Sequence, residues 1–322
     1  MVDTASALGC AQDFMSPFIA ATGAESDVLH LLDSILGVGH DAGRAPIPLQ
    51  GDPLSENSVV ARLEPEPPAA SSMESEAEEP EHPLDALLSK HEELIREEPQ
   101  IAANIGEQLK HMDLESLPLT VRRRIRDVAA RHKPANVVEV GAGIGHLSSW
   151  LFDLWQDEEF RPDRYAMIEA GGKFGIILTR LMRRYEASKW ADVVVAEWLD
   201  VVANVNAWNA AFATTPDIAA PEAPPIPHPI DLCIVDVGWK RQVECVMAAI
   251  PLLSNNGLLL TNEPDVPTGD LAILEGDEAS SEEAKVAAFN EWITLVKMLN
   301  DTHNVGFVPM FGGTLVGIQR KG

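Results

Sequence analysis

Three glycines, Gly141, Gly143 and Gly145, stand two residues apart directly behind the apolar run Val137-Val138-Glu139-Val140 and in front of His146, where a helical pattern begins. A strand, a tight turn and a helix start in that order bring main-chain N–H groups up to a nucleotide-like ligand, because glycine adopts positive φ and carries no Cβ. A dinucleotide fingerprint would place its third glycine at position 146, which His146 occupies, so nicotinamide-dependent oxidation is disfavoured. Glu139, inside the run, is placed to orient a charged amino group directly or through water. His146 reads either as a plain turn residue or as a contact to ligand or acceptor at the helix start.

Polar side chains recur at the ends of the apolar runs that follow. Glu169 closes Ala166-Met167-Ile168-Glu169, a position suited to accepting from two ribose hydroxyls and hostile to a 2′-phosphate. Glu197 follows Val193-Val194-Val195-Ala196 and could address an adenine amino group, with Trp198 beside it. Asp236 ends the run from Ile230, and Asn262-Glu263 ends the run Leu258–Thr261. Asp236, Asn262 and Glu263 together present oxygen donors that could help hold Mg²⁺, and the plainer reading is a hydrogen-bonded loop. Lys240 acts as a general base if desolvation lowers its pKa, as an oxyanion partner if it stays charged, and otherwise as an ordinary charge at a helix start.

Such residues need a scaffold that gathers strand ends. Strands over Val137–Val140, Arg164–Glu169, Val193–Ala196, Asp231–Val237, Leu258–Thr261, Val305–Met310 and Thr314–Gln319 alternate with helices over His146–Trp155, Phe174–Tyr185, Gln242–Leu253 and 282–299. The pattern predicts an α/β, Rossmann-like domain with a mostly parallel seven-stranded sheet, closed by an antiparallel hairpin around Gly312-Gly313. Its crevice lies outside the carboxyl ends of the strands.

Ahead of it, Leu84, Leu87, Leu88, Leu94 and Ile95 fit helices broken near Pro99, and Ile101, Ile105 and Leu109 continue the pattern. The division is therefore a variable segment at 1–82, a helical cap at 83–133 and the α/β domain at 134–322. Within 1–82, residues 26–36 suit a short amphipathic helix, and 64–82 mix prolines with glutamates as an acidic linker or partner-binding tail. Arg122, Arg123, Arg124 and Arg126 form the one compact basic run, expected on a solvated or salt-bridging helix face, with an anionic substrate as the alternative. Trp150, Trp155 and Tyr165 are expected to pack in or at the edge of the core.

The E-x-G-x-G-x-G spacing from Glu139 to Gly145 resembles motif I of class I S-adenosylmethionine-dependent methyltransferases. Ile230 to Leu260, with Asp236, Lys240, Ile250-Pro251-Leu252-Leu253 and Asn256-Gly257, resembles the small-molecule O-methyltransferase family that includes caffeoyl-CoA and catechol-type enzymes. Pro309 to Ile318 resembles that family's terminal hairpin. The resemblance implies S-adenosylmethionine held by Glu139, Gly141, Gly143, Gly145, Glu169, Glu197 and Asp236, catalytic roles for Asp236 and Lys240, and methylation of a small-molecule acceptor at oxygen.

Members of the family often bind a divalent cation through an Asp after the fourth strand, a second Asp nearby and an Asp-Asn pair after the fifth. Here Asp236 matches the first, Gly238 stands at the second, and Asn262-Glu263 replaces the pair; Trp239 holds the place of the family lysine, with Lys240 next to it. The alternative is a non-catalytic S-adenosylmethionine-binding or scaffold protein on a degenerate form of the fold.

A formal net charge of -26, from 50 acidic against 24 basic residues, opposes binding to bare nucleic acid. Three cysteines give neither a disulfide framework nor a paired metal motif, which suits a reducing, cytoplasmic compartment. The start lacks the pattern of a secretory signal, and no run approaches a membrane span. A homodimer or a protein partner engaged through the amino-terminal segment completes the expectations.

Overall fold

Apolar residues alternate between two faces along each central strand, and both faces are covered. In the computed structural model, which describes residues 82–214, 223–267 and 277–322, seven strands form one sheet. They are β1 (Asn136–Val140), β2 (Arg164–Glu169), β3 (Ala191–Val195), β4 (Ile230–Val235), β5 (Leu253–Asn262), β6 (His303–Met310) and β7 (Gly313–Arg320). Their order is β3-β2-β1-β4-β5-β7-β6. The first five run parallel, and β7 pairs antiparallel with both β5 and β6. The α/β class, the seven strands and the terminal hairpin are as expected from sequence.

The strand period of two sorts the core into two layers. Val137, Tyr165, Met167, Leu232 and Ile234 face one cluster, with Leu147 and Leu151 of α4 (His146–Leu154) and Leu178 and Leu181 of α5 (Gly172–Arg184). Val138, Val140, Ile168, Cys233 and Val235 face the other. There they meet Trp198 and Val205 of α6 (Trp198–Thr214), Val246 of α7 (Gln242–Ala249) and Trp292 of α8 (Asp277–Leu299). Trp150, Trp155 and Tyr165 are fully buried.

Several elements differ from the sequence reading. Helix α6 carries its buried positions Trp198, Val201 and Val205 among asparagines and alanines, which blur the apolar stripe that marks a helix. Helix α7 ends at Ala249, a 3₁₀ turn follows over Ile250–Leu252 with Pro251 inside it, and β5 starts at Leu253, ahead of the expected Leu258. In the hairpin, Met310 pairs with Gly313, so the two-residue turn is Phe311-Gly312 and only Gly312 takes positive φ. The expected helix at 26–36 lies outside the described residues, as do residues 64–81 of the acidic segment.

The cap is less helical than expected, and its arginines explain why. After α1 (Asp85–Leu88) the chain runs irregularly to α2 (Gln100–His111), and α3 (Leu119–His132) follows. Main-chain carbonyls at the end of a helix or outside regular structure need donors, and α3 supplies them. Arg131 donates to the carbonyls of Leu87 (3.2 Å), Ser89 (2.8 Å) and Lys90 (2.9 Å), Arg124 to that of Leu88 (2.8 Å), and Arg126 to that of Ile95. Arg96 returns from this segment to Asp127 at 2.6 Å. The basic run is thus no solvated face: Arg122 and Arg126 are 6% and 3% exposed, and Arg126 lies 5.1 Å from the ring centre of Trp150. No helix among the described residues is long and apolar enough to cross a membrane.

Candidate functional site

The strand order reverses at β1 and β4, and in open parallel sheets the crevice lies beyond the carboxyl ends of such a pair. Here the two ends are zipped together. The Asp236 N–H donates to the Val140 carbonyl at 2.9 Å, and a Cβ on Gly141 would sit 2.0 Å from the Asp236 carbonyl oxygen, so nothing larger than glycine fits. Gly145, at φ +87°, packs the turn on α5, where a Cβ would lie 2.4 Å from Leu181 Cδ2. Gly143 differs: its φ is +56°, yet a Cβ there would meet nothing within 4 Å. That is the point at which main chain faces open space.

Glu169 closes this turn. Its Oε2 accepts from the Gly143 N–H (2.9 Å) and its Oε1 from the Gly171 N–H (2.7 Å), while the Gly141 and Ala142 N–H groups donate to the Ile168 carbonyl. Burial raises the pKa of Glu169, and the two N–H donors oppose that shift. A carboxylate is therefore held on the glycine turn, at the end of the strand beside β1.

The other expected residues fall into distinct places. Glu139 is 1% exposed and lies beneath the turn, its Oε2 accepting from Ser148 Oγ (2.8 Å) and from the Tyr165 hydroxyl, so it ties β1 to α4 and β2. Burial lifts its pKa to about 7. Asp236 is half-buried after β4, with its pKa raised to about 7 by burial and pulled back by the Arg122 charge. Glu197 is exposed after β3 and paired with Arg241, which also donates to Glu244 at 2.6 Å. Lys240 is exposed, with its Nζ 5.3 Å from the Trp239 ring centre, so the burial that would make it a base is not met.

Asn262 is half-buried at the end of β5. Its Nδ2 donates to the Glu263 carbonyl (3.1 Å), and its Oδ1 lies against Gly313, where a Cβ would come within 2.8 Å. Sequence reasoning missed Gln242, a buried amide on α7 whose Nε2 donates to Thr261 Oγ1 (2.9 Å) and to the Asn262 carbonyl, fixing the end of β5. Nothing in the pattern distinguishes that glutamine from a surface one. It also missed the setting of His146 and Arg122, which line a cavity of about 520 Å³ bounded by α2, residues 114–118 and the start of α3.

No family model matches the sequence, and no curated protein matches it. Solved structures do match. One is an O-methyltransferase, TomG, from Streptomyces achromogenes, involved in tomaymycin synthesis and solved with S-adenosylmethionine: 14% identity, TM-score 0.52, covering 71% of this chain and 93% of that one. Another is an O-methyltransferase from Bacillus cereus solved with S-adenosylhomocysteine: 12% identity, TM-score 0.50, covering 70% of this chain and 92% of that one. The fold is that of class I S-adenosylmethionine-dependent methyltransferases.

Within that methyltransferase fold, the glycine turn and Glu169 could hold a nucleoside cosubstrate: open space lies at Gly143, and a carboxylate within reach of it. The Mg²⁺ set does not fit. Asp236 and the half-buried Glu263 supply one carboxylate each, Gly238 supplies none, and Asn262 contributes only an amide oxygen, which lies against Gly313. Among the described residues, no group of three His, Cys, Asp or Glu side chains could hold a metal ion.

Proposed function

We propose that this chain transfers the methyl group of S-adenosylmethionine to an oxygen of a small-molecule acceptor. The observation that carries the reading is the Glu169 carboxylate at the end of β2, 2.9 Å from the Gly143 N–H and next to the strand-order reversal. In this account Glu169 accepts from the ribose hydroxyls, Gly141, Gly143 and Gly145 pass main chain along the methionine half, and Glu139 orients the amino group from beneath the turn. Glu197 meets the adenine amino group by loosening its exposed pair with Arg241.

Bound S-adenosylmethionine supplies a methyl group made electrophilic by a sulfonium that leaves as a neutral thioether. The protein therefore has two tasks: to align the acceptor oxygen for in-line attack, and to take its proton. Asp236 takes the proton. Burial has brought its pKa to about 7, close to neutral pH, where a carboxylate base is still ionised in part and far more basic than an ordinary aspartate. Lys240, exposed on the loop after Asp236, offers a cation to the developing oxyanion.

No step described here needs a bound metal. The test is release of S-adenosylhomocysteine when the full-length chain is incubated with S-adenosylmethionine and a panel of phenols and alcohols, with and without EDTA. Product that persists in EDTA supports the reading. Tight cosubstrate binding without product across the panel would leave a binding module only.

A further inference from the structure

The cavity of about 520 Å³ beside His146 is charged on paper and neutral in effect. Its ionic side chains are already matched: Lys110 Nζ to Glu107 Oε1 at 2.8 Å, and Arg122 Nη2 to Glu98 Oε1 at 3.0 Å. Gln100 and Asn104 bond each other at 3.0 Å. A charged ligand would enter with no counter-charge left to offset its desolvation.

His146 is the loosest member of this network, its Nε2 3.7 Å from Glu98 Oε1 and beyond hydrogen-bond reach of it. It is 7% exposed, lines the cavity, and neither ring nitrogen has a hydrogen-bond partner. Burial and the nearby Arg122 charge keep the ring neutral, with a pKa lowered to about 3. A neutral imidazole offers one donor and one acceptor, the complement of a hydroxyl, which also donates and accepts.

The space the ring uses is set by Gly106. This glycine sits in the middle of α2, where alanine would be the better helix former, and a Cβ there would lie 3.2 Å from His146 Nε2. Arg122 links the cavity to the proposed base, since its guanidinium lines the one and acts electrostatically on Asp236.

We propose that this cavity is the acceptor site and that it selects an uncharged small molecule bearing a hydroxyl, recognised by the imidazole of His146. The inference rests on the methyl-transfer reading and narrows its acceptor. The apolar part of the lining, including Leu109, Leu114 and Leu117, suits a hydrocarbon or ring body carrying that hydroxyl.

The experiment uses three probes of one shape and different charge, benzyl alcohol, benzoate and benzylamine. Each is titrated into the full-length chain saturated with S-adenosylhomocysteine, and the imidazole ¹⁵N signals of His146 are followed. We expect benzyl alcohol to shift those signals and to bind at least tenfold more tightly than either charged probe. In His146→Phe, and independently in Gly106→Ala, its affinity should fall at least fivefold while S-adenosylhomocysteine affinity, read by calorimetry, stays within twofold. Equal or tighter binding of benzoate or benzylamine would overturn the inference, as would benzyl alcohol binding that leaves the His146 signals in place. So would the absence of binding by all three probes in a chain that binds S-adenosylhomocysteine, with the methyl-transfer reading left standing. A folded chain that binds no S-adenosylhomocysteine would instead overturn that reading, and the acceptor role with it.

Discussion

At the scale of single residues, the site depends on a few atoms with no room to move. Gly141→Ala would drive a Cβ into the Asp236 carbonyl and strain a backbone at φ +84°, costing about 1–3 kcal/mol from the dihedral alone, so cosubstrate binding should be lost on calorimetry. Asp236→Asn keeps the shape and removes the base. Turnover should fall by at least tenfold with cosubstrate affinity nearly unchanged, and the parent's rate should rise with pH through about 7 as Asp236 ionises. A flat profile would remove Asp236 as the base.

Glu139 makes a different prediction, about stability. Its folded pKa of about 7 lies above the ordinary 4.5, so the folded chain holds that proton more tightly than the unfolded one. The contribution is full below about pH 4.5 and declines as pH rises to about 7, by on the order of 3 kcal/mol. Glu139→Gln retains an acceptor for Ser148 and Tyr165 without the charge. Denaturant titrations should find it more stable than the parent at pH 8 and close to it at pH 4; equal stability at both would contradict the buried-acid account.

At the scale of elements, the sheet was legible because strand burial on both faces leaves dense apolar runs, and the turn because only glycine tolerates its geometry. Glu169 was legible for the same reason, as an acid at a strand end. The cap was not. Its irregular stretch between α1 and α2 is held by side chains reaching across from α3, and a run of arginines reads alike whether it faces solvent or clamps carbonyls. Arg126→Leu would leave the Ile95 carbonyl without its donor and cost about 1–3 kcal/mol. Hydrogen exchange should quicken over residues 89–98, while the β1 and β4 amides stay protected. Gln242 and Asn262 were illegible too, since what they contact is decided by the meeting of β5, α7 and β7.

At the scale of the whole molecule, the described residues hold a doubly covered sheet whose reversal point presents a glycine turn and a carboxylate, with a second, charge-balanced cavity beginning at His146. Two half-buried carboxyls at that crevice, Glu169 and Asp236, both have pKa values raised by burial. The most direct test is calorimetric titration of the full-length chain with S-adenosylmethionine, with NAD as the comparison and Glu169→Ala in parallel. Selective binding of S-adenosylmethionine, weakened at least tenfold in Glu169→Ala, is the predicted result. A folded parent that ignores S-adenosylmethionine, or a Glu169→Ala variant that binds it equally well, would contradict the account.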